Sequence, residues 1–448
     1  MDIQARLTED FLSDLKSHTI SNALYDQYKV KKGLRNEDGT GVVVGLTRIC
    51  DVVGYKRDAK GAKVEIPGEL VYRGYSIEDL YHKFYSEAYK GLVYERACYL
   101  LLMGELPDHN QLQDFHSYLG MHYSLPQNLF AQGFFWNTSP HLMNQIQAGL
   151  LALYKEDPAP DDTSIENLFR QGLNVLAKLP MLISYSYLAT KQGRLASTFY
   201  PADPELGIAE QILYFLLGPD QYGEEEVRVL DLLLMVHADH GIGNNSTFTG
   251  LVVSSTGTDL YSAFTASVAS LKGPKHGGAN IMARSMMEAV MEEVGLDASD
   301  DAIEKICTRI LNKDFYDKEG IIYGFGHAVY TVTDPRCQLL KEEAMALARK
   351  HGKEKELDFY LRFEETARRL IMAEKGKSIA TNVDFYSGFI YSILGIDKEL
   401  FTPFFVQARL VGWLSHIIEE KYNAGRIIRP AGFYVGPMRN ADDEMKED

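Results

Sequence analysis

An all-α protein with one small β element is what the order of apolar residues predicts. From Tyr75 almost to the C-terminus the apolar positions recur at helical spacing, whereas between residues 42 and 75 short β-branched runs alternate with Gly, Asp and Lys clusters. No repeat of about 20 to 50 residues and no long Pro- or Ser-rich linker divides the chain. Its 448 residues, 46% hydrophobic and 24% charged, suffice for one large domain or two unequal ones.

Residues 1–35 read as polar and helical, with Leu12, Leu15 and Ile20 available to one face. Val42–Val44, Ile49–Tyr55, Val64–Ile66 and Leu70–Tyr72 read as strands of one or two hairpins. Ser139 and Pro140 predict an N-cap and a first-turn proline for a helix over His141–Tyr154. Ile165–Ala189 repeats the helical pattern and is interrupted at Pro180. Glu224–Val236 reads as a mostly buried helix that ends on His237. Thr258–Lys272 packs Ser262, Ala263, Ala266, Ser267, Ala269 and Ser270 into one helix, and such small side chains place it at the centre of the fold or at a subunit interface. Ala279–Val294, a helix opened by Asp334-Pro335, Phe385–Leu394 and Pro403–Glu419 follow.

The stretch from about Ala283 to Ala380 is sparser in apolar residues and more charged. The expected division is therefore a large helical domain of residues 1–281 and 385–448, carrying a β-hairpin near 42–75, and a smaller inserted helical domain of residues 282–384. Asn440–Asp448, polar and without pattern, reads as an unstructured tail.

A formal charge of −16 argues against a nucleic-acid partner, and an anionic substrate would need local arginines in a sheltered cleft. No apolar run reaches the roughly 18 residues needed to cross a bilayer, and the acidic N-terminus lacks a targeting pattern, so a cytoplasmic location is expected. Cys50, Cys98, Cys307 and Cys337 have no CxxC spacing and read as reduced, buried thiols.

Four polar clusters stand out in the apolar C-terminal half. Gly273-Pro274-Lys275-His276-Gly277-Gly278 sets one histidine between a helix-ending Gly-Pro and a Gly-Gly that lets backbone crowd a ligand. An imidazole at the start of the following helix is kept neutral by the helix dipole and can donate a hydrogen bond without adding charge; the plain alternative is a structural histidine. Asp384 falls near a helix start in an apolar wall, as a general base or as part of the cap. Gly324-Phe325-Gly326-His327 runs toward Asp334-Pro335-Arg336, where an arginine in the first turn of a helix makes an anion pocket. Arg409, flanked by Phe404, Phe405, Val406, Leu410 and Val411, needs a partner for its charge: a substrate carboxylate or an internal acid. The Arg426–Pro430 stretch suggests an ordered arm. Zinc held by His237, His240, His276 or His327 is a rival reading, although the spacing does not match HExxH and no metal is expected.

Taken together, these motifs resemble the citrate synthase family. The resemblance runs from Tyr72-Arg73-Gly74-Tyr75 through Leu176–Pro180, His237–His240, Gly273–Asn280, Gly324–Arg336 and Asn382–Gly388 to Arg429-Pro430 and Tyr434-Val435-Gly436. It implies a helical homodimer with a large and a small domain that closes over oxaloacetate before acetyl-CoA binds and needs no cofactor. Carried over motif by motif, it makes His276, His327 and Asp384 catalytic. It assigns His240, Arg336, Arg409 and, from the partner subunit, Arg429 to oxaloacetate, and Gly324 and Asn382 to the acyl-CoA. A 2-methylcitrate synthase using propionyl-CoA would share all of these residues. Two departures stand out: Lys275, whose charge would further favour neutral His276, and Ala328-Val329-Tyr330-Thr331, which lacks a basic residue for the CoA phosphates.

Overall fold

The computed structural model describes residues 3–15, 19–86, 91–193, 199–376, 378–423 and 425–438; the expected tail at Asn440–Asp448 lies outside them. Helix makes up 59% and strand 6%. Two helices, α1 (Ile3–Leu15) and α2 (Asn22–Gln27), precede an antiparallel sheet in the order β1 (Cys50–Arg57), β2 (Lys63–Tyr72), β3 (Tyr75–Ser76). Then come α3 (Ile77–Ser86), α4 (Val93–Met103), α5 (His109–His122), α6 (Gln127–Ala131), α7 (Leu142–Tyr154), α8 (Ile165–Gln192), α9 (Ile208–Leu217), α10 (Glu224–His237), α11 (Asn245–Ser254) and α12 (Leu260–Leu271). The C-terminal third is α13 (Ala279–Val294), α14 (Asp300–Leu311), α15 (Pro335–Lys350), α16 (Glu354–Lys375), α17 (Val383–Ile393) and α18 (Phe401–Tyr422). Among the described residues no helix is long and apolar enough to cross a membrane.

Helix α18 is the central post. Nearly every residue from Phe401 to Ile417 is buried, and the helix packs on α4, α7, α8, α10, α11 and α12. A second set of contacts joins α13, α15 and α17, with α14 and α16 alongside. The two sets meet where α15 lies on α3 and α10, and where α13 reaches α18. Helix α12 packs between α7 and α11, where its Ser267 hydroxyl fills the space a side chain at Gly250 would need. The small-residue helix therefore sits inside the fold on this face, while Ala269 is exposed.

Three local expectations are corrected. Val42–Val44 form no strand: Val43 is 83% exposed, and β-branched residues with neither a partner strand nor a face to bury gain nothing from extended pairing. The α7 helix begins at Leu142, not at Pro140. His141 caps it through Nδ1, which accepts from Met143 N at 3.2 Å, while Ser139 is used in the preceding turn, accepting from His141 N and donating its own N–H to Gln145. Finally, α8 runs through Pro180 without a break. Proline leaves the carbonyl four residues earlier without its helical donor, and the Gln407 side chain on α18 supplies one to Leu176 O at 3.4 Å.

The sheet is a floor for the loop that follows His327. The runs Val64–Ile66 and Leu70–Tyr72 are one strand, and the β1–β2 register shifts around Gly54, so Pro67 falls where no regular ladder bond is required of it. A Cβ on Gly54 would collide with the Val329 carbonyl, and one on Gly68 with the Thr333 carbonyl and the Tyr330 ring. Gly68 N also donates to Thr333 O (3.2 Å) and Oγ1 (3.1 Å). Gly68→Ala is therefore expected to lower stability by about 1–3 kcal/mol in urea unfolding, since the backbone it meets has to move.

Candidate active site

At the end of α10, the turn His237–His240 lies against α18. Arg409 Nε donates to His237 O at 2.7 Å, Phe405 lies with its ring 4.7 Å from the guanidinium carbon, and Nη2 has no hydrogen-bond partner among the described residues. Among the described residues no carboxylate forms an ion pair with Arg409, which leaves its charge open to a ligand. Arg336 differs. Its first-turn position is as expected, but its Nε and Nη2 are held by Asp334 Oδ1 and Oδ2 at 3.0 and 2.8 Å, and Asp334 is also the cap of α15. The two-pronged pair fixes the guanidinium plane.

His276 occupies the turn between α12 and α13. Gly277 is required there because a Cβ would strike the Leu271 carbonyl, so the glycine serves the chain's own close turn rather than a ligand's approach. Ser246 N donates to His276 Nε2 at 3.3 Å, with the Ser246 hydroxyl 3.0 Å away. A neutral ring accepting at Nε2 carries its proton on Nδ1. Burial first and the charge of Arg409 second push its pKa down to about 4; Lys275, exposed, is not among the causes.

His327 is set the opposite way. Its Nδ1 accepts from Val329 N and Tyr330 N, both at 3.0 Å, so the neutral ring carries its proton on Nε2. The ring stacks on Tyr330 (4.6 Å between centroids) and meets His240 edge-on at 4.9 Å. Burial and then Arg336 hold its pKa near 4, and the same two causes depress His237 to about 3 and push His240 well below the usual imidazole range.

Asp384 lies in the first turn of α17. The capping role falls to Asn382, whose Oδ1 accepts from Asp384 N at 3.1 Å, and this leaves the carboxylate itself without a protein hydrogen bond among the described residues. Burial raises its pKa to about 7, against the pull of Arg336. Asn382 Nδ2 donates to Gly326 O at 2.9 Å, Asn382 N to Gly324 O at 2.9 Å, and Gly326 N to Ala380 O at 2.8 Å. These bonds clamp the His327 turn to the segment leading into α17. Both amide ends of Asn382 are engaged with protein, and Gly324 closes on Phe385, so the two residues build the loop. Val383 N donates to Asp334 Oδ2 at 3.2 Å, tying α17 to the Arg336 pair.

The arrangement thus brings His240, His327, Arg336, Arg409, His276 and Asp384 into one electrostatic neighbourhood. His240 feels Arg336, His327, Arg409 and His276, and Asp384 feels Arg336. Its buried, unpartnered polar atoms include His237 Nε2, His240 Nε2 and Arg409 Nη2, a set that calls for a polar ligand. Arg429 is not brought there within one chain: it is exposed, and the neighbouring Ile428 N bonds Ser255 Oγ at the end of α11 opposite Ser246. Among the described residues no group of three or more His, Cys, Asp or Glu is placed to hold a metal ion.

A family model described as the citrate synthase C-terminal domain matches residues 35–431. A citrate synthase from Haloferax volcanii is 34% identical over 419 residues, covering 91% of this chain and 96% of the relative. The chain belongs to the citrate synthase family. Within it, a 2-methylcitrate synthase from Corynebacterium glutamicum is 31% identical over 412 residues, again 91% of this chain and 96% of the relative. A citrate synthase from the archaeon Thermoplasma acidophilum, solved with carboxymethyl coenzyme A and oxaloacetate, superposes with a TM-score of 0.72 at 25% identity, over 92% of this chain and 97% of that one. The helical architecture is that of citrate synthases, and the chain is an enzyme of this family.

Several residues around this site escaped the sequence reading. Ser246 sets the His276 tautomer, Tyr330 stacks on His327, and His416 pairs with Asp239 at 2.8 Å. The Asn244–Thr247 cap pattern signals a helix start but not its histidine partner.

Two outcomes follow. Nitrogen-15 spectra of the histidines at pH 6.5 are expected to show neutral rings, protonated at Nδ1 for His276 and at Nε2 for His327. Because the folded pKa of Asp384 lies above its unfolded value, its ionisation costs stability as pH rises from about 4 to about 7. Asp384→Asn is therefore expected to unfold at higher urea than the parent at pH 8, with the difference vanishing toward pH 4.

Proposed function

We propose that this enzyme condenses acetyl-CoA with oxaloacetate and hydrolyses the product thioester to citrate and CoA. The observation that carries the reading is the combination of two neutral imidazoles, locked in opposite tautomers, with a carboxyl that burial raises to about 7 beside the Asp334-held Arg336, and the open Nη2 of Arg409 in the same neighbourhood.

In this reading Asp384 takes a methyl proton from the thioester while His276 Nδ1–H donates to the thioester oxygen, where charge develops. A thioester α-proton is weakly acidic, so stabilising the oxyanion is the largest need, and a neutral donor serves without a competing proton transfer. A base with a pKa near 7 abstracts more strongly than an ordinary carboxylate yet is mostly ionised at slightly alkaline pH. His327 Nε2–H polarises the ketone of oxaloacetate; the enolate carbon attacks the ketone carbon, and the ketone oxygen takes up a proton. Water then cleaves the thioester, releasing CoA as the thiol.

Arg336, Arg409 and His240 grip the oxaloacetate carboxylates, with Arg429 reaching the pocket from the second subunit of a homodimer. Local guanidiniums overcome the repulsion of a −16 chain. Gly324 and Asn382 shape the loop that receives the acyl-CoA. Residues 282–384 would move as the small domain, closing the cleft against water until condensation is complete, and the enzyme would work in the cytoplasm. The 2-methylcitrate relative at nearly the same identity makes propionyl-CoA the competing acyl donor.

Thiol release from acetyl-CoA is expected to require oxaloacetate; equal release without it would sink the ordered condensation. Comparing kcat/KM for acetyl-CoA and propionyl-CoA decides the acyl donor. Asp384→Asn is expected to lower kcat by about 10²–10⁴, and the parent's kcat/KM for the thioester to fall below about pH 7 as Asp384 is protonated.

A further inference from the structure

Beneath the His237–His240 turn lies a buried carboxylate–imidazole pair that no step above uses. His416 Nε2 is 2.8 Å from Asp239 Oδ2, and both side chains are fully buried. His416 Nδ1 faces Thr47 Oγ1 at 3.3 Å and Glu419 Oε2 at 3.9 Å, and Glu419 in turn accepts from Arg48 N at 2.7 Å. On α18, Arg409, Gly412 and His416 form one stripe at helical spacing, all toward the turn. A Cβ on Gly412 would lie 2.6 Å from both Ala238 O and Asp239 Oδ1, so the helix touches the turn there. From the other side Tyr72 OH accepts from Asp239 N at 3.1 Å and lies 3.2 Å from Met235 O.

We propose that Asp239 and His416 are positioning residues for oxaloacetate binding, fixing the 237–240 turn on α18 and leaving the charge of Arg409 free for the substrate carboxylate. The inference rests on the reading of Arg409 as an oxaloacetate ligand. A lone buried carboxylate next to Arg409 would claim that guanidinium for itself and compete with any incoming anion. With His416 on Oδ2, the charge of Asp239 is already matched; among the described residues its Oδ1 and Arg409 Nη2 have no hydrogen-bond partner, and Arg409 Nε bonds a carbonyl.

The charges facing the pair are Arg409 and Glu419 from α18, Arg73 from the turn after β2, and the Cys50 and Tyr72 side chains from the sheet, while the His240 backbone N–H donates to Asp239. Burial alone would lower the His416 pKa, but Asp239 outweighs it and carries it to about 9. The imidazolium is thus present at neutral pH and lost above about 9, where Asp239 becomes the competing anion.

The test is oxaloacetate affinity by calorimetry from pH 7 to 10, without thioester. In the parent it is expected to hold steady to about pH 8.5 and then to fall toward about tenfold per pH unit. His416→Gln is expected to weaken oxaloacetate about tenfold or more at pH 7.5 with the KM of the thioester unchanged. Asp239→Asn/His416→Gln, a neutral pair, should restore affinity and abolish the alkaline limb. A flat parent profile, a limb that persists in the double variant, or equal losses for both substrates in His416→Gln would overturn the proposal. The parent profile stands even if a variant does not fold. Condensation with a flat profile sinks the positioning pair alone; the expected profile without condensation sinks the reaction alone.

Discussion

Two guanidinium groups buried in an apolar interior set the terms for the whole site. A buried cation is tolerated only with compensation, and the fold compensates these two differently. Arg336 is gripped on two atoms by Asp334, which also caps its helix and binds Val383 N, so a single carboxylate holds the arginine, starts α15 and anchors α17. Arg409 receives a carbonyl and the field of a carboxylate already paired elsewhere. One cation is oriented by its own carboxylate; the other keeps an atom without a hydrogen-bond partner among the described residues.

The consequence is felt by four of the imidazoles nearby. Arg336 and Arg409, added to burial, keep His237, His240, His276 and His327 neutral. Neutrality alone would leave each ring free to choose a tautomer. Backbone N–H groups remove that freedom: Ser246 N claims Nε2 of His276, and Val329 N and Tyr330 N claim Nδ1 of His327. The same burial that keeps these histidines neutral raises the Asp384 carboxyl to about 7.

The small sheet, peripheral in size, matters because it carries glycines where the His327 loop lies down. Gly54 and Gly68 bring the backbone of residues 329–333 into contact with the strands, and this sets the path from His327 to Arg336. Its strands were half legible: β1 followed its β-branched run, and two short runs proved to be one strand bent at Pro67-Gly68, because whether a proline interrupts a strand depends on what lies opposite it. Pro180 teaches the same lesson in a helix, where a donor 231 residues away on α18 serves the carbonyl that proline strands.

The sequence by itself determined the helical class, the order of most helices and the polar clusters that the fold gathers. Apolar periodicity is local, and Gly-Pro-Lys-His-Gly-Gly or Asp-Pro-Arg carries its chemistry within a few residues. It also supplied Asp334-Pro335 as a helix start, since capping acts over two or three positions. Only the tertiary structure decided which histidine nitrogen bears the proton, that Arg336 is paired while Arg409 is not, and that Asp239 meets His416. Each of these is a contact between segments that no sequence period links, or a charge balance set by burial, and a pKa or a tautomer belongs to the surroundings that folding assembles.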